Sequence, residues 1–338
     1  AVVDAEGNKA KEVTIARTTY DLYIAGTQVT SDNCNNLKDI EGVTVATGGE
    51  FKYDPASKML TMKDVKVQVG NAKNAIYNKG IEGLKIVVSG KNSLEATDYP
   101  SLAMQVSTFI EGSGDLKIIS ANAGILIAKN PLTISDITLE ASGESGISGW
   151  DGTQNEKLIL KNAKIIATGT KAGIANLASL EIKDCEIVEP ADGKFDETKH
   201  AVVDAEGNVA KEVKIERLIP VTGVTVTPKT VDLTEGKTQQ LTISVQPTTA
   251  SNQRYTCQSD NESVATVTNT GLITAVSAGT ATITITTEEG NKTETCTVTV
   301  SQSTSPDNPN AVEETIFAKL SVAPNPFSSQ LRISHKEA

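Results

Sequence analysis

The stretch Leu116-Lys-Ile-Ile-Ser-Ala-Asn-Ala-Gly-Ile125 contains two phrases that recur through the first half of the chain. The first is a Leu, one spacer and a second apolar residue: Leu60/Met62, Leu84/Ile86, Leu116/Ile118, Leu132/Ile134, Leu158/Leu160 and Leu180/Ile182. The second is a small residue followed by an apolar one: Ala75-Ile76, Ala103-Met104, Gly124-Ile125, Gly146-Ile147 and Gly173-Ile174, at intervals of 28, 21, 22 and 27 residues. Period-two alternation makes each phrase a strand with one buried face. Repetition at these intervals makes each strand a rung that buries its apolar face only by stacking on the next coil. The phrases predict an all-β chain that opens with a right-handed parallel β-helix, whose six coils, at about 4.8 Å per strand spacing, would stand roughly 30 Å tall. The rival, a β-sandwich of short strands, gives no reason for the small-then-apolar step to recur.

With the Leu positions aligned, the residue four places on is Asp64, Val88, Ser120, Asp136, Asn162 or Asp184. Asp136, Asn162 and Asp184 are expected to stack as a turn ladder, because Asx side chains at a corner hydrogen-bond nearby backbone groups. A calcium site is the functional alternative there, but calcium takes about six to eight oxygens and the sequence identifies only a few. No cofactor is otherwise expected. One place further, Val65, Ile137, Ala163 and Cys185 form an inward column, which makes Cys185 a small hydrophobe rather than a nucleophile. Cys34, in the Asn-rich segment 31–36, belongs at the opposite end of the solenoid, out of reach of Cys185. The four cysteines contain no CxxC, and His200 and His335 are far apart, so the ligand count excludes zinc. Residues 20–29 and 51–53 are expected to cap the first coil. At the other end, residues 200–203 and 210–215 flank the turn Asp204-Ala-Glu-Gly-Asn208 as a closing hairpin.

The composition narrows the function. Only 4% of residues are aromatic, which suits many short strands rather than one large aromatic core. A formal net charge of −11 excludes a basic footprint for nucleic acid. No apolar run approaches the ~18 residues of a membrane-spanning helix. No arginine occurs between Thr18 and Glu216, no paired-carboxylate cleft is marked, and His200 is the unit's single histidine. A β-helical polysaccharide lyase or hydrolase is therefore the least favoured reading, and the chain is expected not to be an enzyme. Trp150, with Tyr77 and Tyr99, supplies the aromatic surface on which a sugar ring could stack; packing or capping is the alternative for each. Ala1–Arg17 reappears as Ala201–Arg217 with three substitutions, so a tandem copy of the unit is expected in the parent chain.

Residues 18–218, through Tyr53-Asp54, Leu60-Thr-Met62 and the recurring Leu-x-Ile and Gly-Ile phrases, resemble the β-helical carbohydrate-binding modules of secreted proteins from gut and oral bacteria. That resemblance implies a polysaccharide or host glycan as ligand, and a host-surface protein is the other partner expected. Residues 219–302 resemble bacterial immunoglobulin-like domains of group 2, through Val224-Thr-Val226-Thr-Pro228, Gly271-Leu-Ile-Thr-Ala275, Ala278-Gly-Thr-Ala-Thr-Ile283 and Cys296-Thr-Val-Thr-Val300. Alternating apolar residues at about seven short strands independently indicate a sandwich. Cys257 stands where that family usually has a core Trp, which raises a Cys257–Cys296 bridge across the core, with two packed thiols as the alternative. Residues 303–319 read as a linker. Leu320-Ser-Val-Ala-Pro324-Asn325-Pro326-Phe327, within 320–338, resembles the opening of the C-terminal sorting domain of type IX secretion cargo in Bacteroidota, here truncated. Residues 1–17 are read as the tail of a preceding copy. Together these features imply a non-enzymatic cell-surface or extracellular binding or adhesion module, with a passive stalk or spacer of a surface array as the alternative.

Overall fold

A computed structural model describes residues 16–70 and 72–303. The sorting segment, nearly all of the linker and most of Ala1–Arg17 lie outside the described residues. The chain divides into two units between Leu218 and Ile219.

In the first unit the phrases wind into about five turns of a solenoid with three parallel faces. Face A begins with the first half of Met59–Val69 and continues through Leu84–Ser89, Thr108–Gly112, Leu132–Ser135, Lys157–Lys161 and Ser179–Lys183, aligning Leu60, Ile86, Ile110, Ile134, Leu160 and Ile182. Face B runs from the second half of Met59–Val69 through Lys91–Ala96 and Asp115–Ser120 to the first parts of Thr138–Gly149 and Lys164–Ala175. It aligns Val67, Leu94, Ile118, Ala141 and Ala167. Face C holds Ile76–Asn78, Leu102–Met104, Ala123–Ile127 and the ends of those two long strands, aligning Ile76, Leu102, Ile125, Ile147 and Ile174. These columns point inward and, Ile182 excepted, are buried.

The register corrects three details of the phrase alignment. Leu116/Ile118 lies on face B, and the third rung of face A is Thr108/Ile110. Thr108 is buried, and its hydroxyl accepts from Asn78 Nδ2 at 3.0 Å and donates to the Val106 carbonyl at 3.0 Å. A polar residue with both bonds made can occupy a position that hydrophobicity alone assigns to Leu. On face C the second rung is Ser101-Leu102 rather than Ala103-Met104. The small half of this phrase has a steric cause: a Cβ at Gly146 would stand 2.8 Å from both the Ala141 and Gly173 carbonyl oxygens. The third correction concerns the A-to-B corner. Asp64, Gly90, Asp136, Asn162 and Asp184 occupy it with φ of 54°, 66°, 62°, 45° and 56°. This left-handed conformation suits Gly, Asn and Asp. Val88 instead points inward and is fully buried, and the third coil turns at Gly112.

Antiparallel strands cover the first coil and part of the last. Val43–Asp54 lies on Met59–Val69, with Phe51 opposite Met62 and Tyr53 opposite Leu60, and Thr19–Ile24 lies on Ile76–Asn78. At the far end Glu212–Arg217 pairs with both Lys164–Ala175 and Cys185–Glu189, burying Val213 and Ile215. The covered edges are thereby denied to other chains, whereas Ser179–Lys183, the last strand of face A, pairs only with Lys157–Lys161 among the described residues. The expected closing hairpin is corrected here. Ala201–Val203 pairs with Lys194–Asp196 and touches the following segment only through the Val203–Val209 bridge. Burial of Val213 and Ile215 against Ala167 and Ile165 draws the later strand onto the solenoid instead. Asp204–Asn208 is a tight turn, with Asp204 Oδ1 accepting the Asn208 N–H at 2.7 Å.

The second unit is a β-sandwich. One sheet orders Thr230–Thr234, Thr293–Ser301, Gly279–Thr287 and Tyr255–Ser259; another orders Thr238–Gln240, Leu272–Ala275 and Ala265–Val267; Gly223–Thr227 pairs with Thr242–Gln246. Its core packs Val226, Ile273, Ile283, Ile285 and Val298. The Cys257–Cys296 bridge is not formed, and all four cysteines are buried free thiols. Cys257 pairs across to Ile285 and Cys296 to Ile283, so the strand Gly279–Thr287 lies between them in the same sheet. Two strand spacings, about 9–10 Å, exceed the roughly 7 Å Cα separation that a disulfide tolerates. Burial pushes both thiols up from their ordinary pKa.

Candidate functional site

The solenoid brings the three candidate aromatics together. Outward-facing residues of face C form a floor of Tyr77, Ala103 and Leu126, aligned across three coils. Because Ala103 has almost no side chain, the floor is recessed. Corner loops between faces B and C raise one wall, with Tyr99 at its crest and Asn74 and Asn122 beside it. Loops leaving face C raise the other, from Gln105 and Ala128 to Trp150. Together they enclose a groove of about 430 Å³.

Trp150 is 64% exposed and Tyr99 49% exposed, so both rings are presented rather than packed. Tyr77 is half-buried, with its ring centroid 5.9 Å from that of Tyr23. Burial, followed by the neighbouring Tyr23 and Asp21, pushes its phenol up. Farther along the stack, Ala172 and Ala175 pack under Ala201. The segment carrying Ala201 therefore covers the outside of the later coils, where the open groove stops.

The lining is amide-rich. Asn74 Nδ2 donates to the Pro100 carbonyl at 2.5 Å and Asn122 Oδ1 accepts the Ala123 N–H at 2.8 Å, bonds that hold the wall. Asp98 Oδ2 accepts from the Thr97 hydroxyl at 2.9 Å. Among the described residues Asp98 is the one charged side chain in the lining. Sequence reasoning missed Asp98, Gln105, Asn122 and Leu126. Their signal is positional: each borders face C, and the floor becomes readable only when the coils are in register.

The turn ladder is a separate feature. Asn162 Nδ2 donates to Asp136 Oδ1 at 2.7 Å, while Arg217 donates to the Asn162 carbonyl at 2.8 Å and the Asp136 carbonyl at 3.1 Å. Asp184 continues the corner and accepts the Leu218 N–H on its carbonyl at 3.1 Å. Cys185, the next residue, is buried in the core, as are Val65, Ile137 and Ala163. Cys34 is buried in the cap, where Tyr53 donates its N–H to the Cys34 carbonyl at 2.6 Å.

Beside the groove, the loop carrying Trp150 contains a carboxylate pair. Thr153 donates its N–H at 2.9 Å and its hydroxyl at 2.6 Å to Asp151 Oδ1, and these bonds hold that carboxyl below the ordinary aspartate range. Glu156 is fully buried and adjoins Asp151. Its Oε2 accepts the Gln154 N–H at 2.9 Å.

The family match agrees with this division into units. No curated protein matches the chain. Among solved structures, the crystal structure of the S-layer protein SbsC domains 4 and 5 is similar at 17% identity, over 34% of this chain and 74% of that one, with a TM-score of 0.22. Residues 220–298 match the family of the bacterial Ig-like domain (group 2), which assigns the second unit.

Proposed function

We propose that residues 18–218 are a non-enzymatic glycan-binding module of a surface-associated or extracellular protein, carried on the bacterial Ig-like domain. The observation that carries this reading is the convergence of Trp150, Tyr99 and Tyr77 on one groove with a recessed floor. Exposed aromatic faces flanking a slot, with a few amides to fix orientation, are the means by which a protein holds a sugar ring. The groove crosses about three strand spacings, or ~14 Å, which suits a short run of sugar units. One carboxylate and no cationic side chain in the described lining favour an uncharged polysaccharide over a uronate-rich or sulfated one.

The test is a glycan array together with a host-matrix protein panel, run on the full chain and on Trp150→Ala. Binding to neutral oligosaccharides that Trp150→Ala reduces by at least ~10-fold, the loss of roughly 1.4 kcal/mol, supports the reading. Absence of any glycan signal from a correctly folded chain overturns it.

A passive stalk or spacer is the second reading, favoured by the duplicated Ala1–Arg17 sequence. It predicts that Trp150→Ala changes neither binding nor surface attachment. An origin in Bacteroidota and export by type IX secretion are part of the same proposal and rest on the Leu320–Phe327 phrase; attachment of the parent protein to cells lacking that export route would remove them.

A further inference from the structure

The groove accounts for Trp150 but not for the carboxylates behind it. Glu156 has no exposed surface, and its Oε1 meets no hydrogen-bond donor; among the described residues it is the one buried side-chain oxygen or nitrogen left in that state. A buried carboxyl oxygen without a partner is costly, and the Asp151 carboxyl stands alongside it. The Nδ1 of the nearby His200 is occupied: it lies 3.1 Å from the Leu177 carbonyl, to which it donates. Both bonds from Thr153 fall on Asp151 Oδ1, leaving Oδ2 available, while the Gln154 bond falls on Glu156 Oε2, leaving Oε1 available.

We propose that Asp151 and Glu156 form a binding site for a divalent hard cation, with calcium the fitting ion, at the base of the loop that presents Trp150. Among the described residues no third His, Cys, Asp or Glu side chain joins them. The remaining ligands are therefore backbone carbonyls and water, which calcium accepts in a flexible shell and a transition metal does not favour. The cation supplies the charge that the buried Glu156 oxygen lacks and fixes residues 150–156 as a unit, which makes the Trp150 wall dependent on metal. The wall's role in glycan binding rests on the proposed function; the cation site itself does not.

Trp150 also provides the probe. It is the only tryptophan in the chain and precedes Asp151 directly, so a terbium ion bound there is excited through the indole. The full chain is stripped with chelator and titrated with terbium, excited in the tryptophan band. The expected result is saturable terbium emission that calcium displaces. Glu156→Gln and, separately, Asp151→Asn are expected to weaken terbium and calcium binding by at least ~10-fold, since loss of a ligand exceeds the usual effect of an outer-shell change. Trp150→Phe loses the sensitised emission but keeps the calcium heat in calorimetry. Should Glu156→Gln not fold, Asp151→Asn carries the test, because its side chain is at the surface. Absence of saturable emission and of calcium heat in the wild-type chain, or unchanged affinity in both carboxylate variants, overturns the proposal. Because the metal readouts contain no sugar, their failure is distinguishable from failure of the glycan reading.

Discussion

Replacing Asn162 separates the two things a corner residue does. It sits at φ 45° and donates to Asp136 Oδ1 at 2.7 Å. Asn162→Gly removes the hydrogen bond and leaves the left-handed backbone unstrained. Asn162→Ala removes the same bond and adds a Cβ where L-residues are disfavoured. An exposed hydrogen bond to a carboxylate is worth about 1 kcal/mol. The left-handed conformation costs Ala about a further 1 kcal/mol relative to Gly, less the ~0.5 kcal/mol or more by which Gly enlarges the unfolded ensemble. The expected losses are therefore about 1–1.5 kcal/mol for Gly and about 2 kcal/mol for Ala. For a unit of this size each kcal/mol corresponds to a melting shift of roughly 2–4 °C. The assay is peptide-resolved hydrogen exchange on the full chain, read in Lys157–Lys161 and Ser179–Lys183, where the Ig-like unit makes no contribution. Ala at or above Gly in stability would refute the claim that the Asx ladder exists to hold a left-handed corner.

Ile125→Ala, at a fully buried site on face C, is expected to cost about 2–5 kcal/mol in the same assay, and a loss below ~1 kcal/mol would contradict a close-packed interior. Thiol titration of the chain unfolded without reductant is expected to return four free thiols, and a return of two would restore the Cys257–Cys296 bridge. The Asn208 N–H holds the Asp204 carboxyl below the ordinary aspartate value. A depressed folded pKa stabilises above the unfolded pKa, so the Asp204–Asn208 turn is expected to keep its contribution at neutral pH and lose it as pH falls through the folded value. Exchange of the Asn208 amide should rise in that acid window in the wild type but not in Asp204→Asn; an equal rise in both would disprove the assignment.

Much of the solenoid is visible as pattern. Leu132/Ile134, Leu158/Leu160 and Leu180/Ile182 share a face as their spacing implies, and Gly124-Ile125, Gly146-Ile147 and Gly173-Ile174 share another. Leu116/Ile118 joins face B instead, because the same apolar-x-apolar step serves faces A and B, and period-two alternation does not say which face a strand joins. Thr108, Ser101 and Gly90 are silent in a hydrophobic reading, since each is selected by a hydrogen bond, a steric limit or a backbone angle. The separation of Cys257 from Cys296 was likewise hidden. Both alternate inward on strands of their own, and only the pairing shows that a third strand lies between them.

The candidate groove illustrates the division most directly. Trp150, Tyr99 and Tyr77 stand out in a chain with 4% aromatics, so composition alone nominates them. It does not bring them together. Local chemistry, expressed as alternation, glycines and Asx corners, is written residue by residue and therefore determines that the chain coils and where it turns. Register between coils is decided by hydrogen bonds and packing between residues more than twenty positions apart, and that long-range choice alone places an indole from one coil and a phenol from another on opposite walls of the same groove.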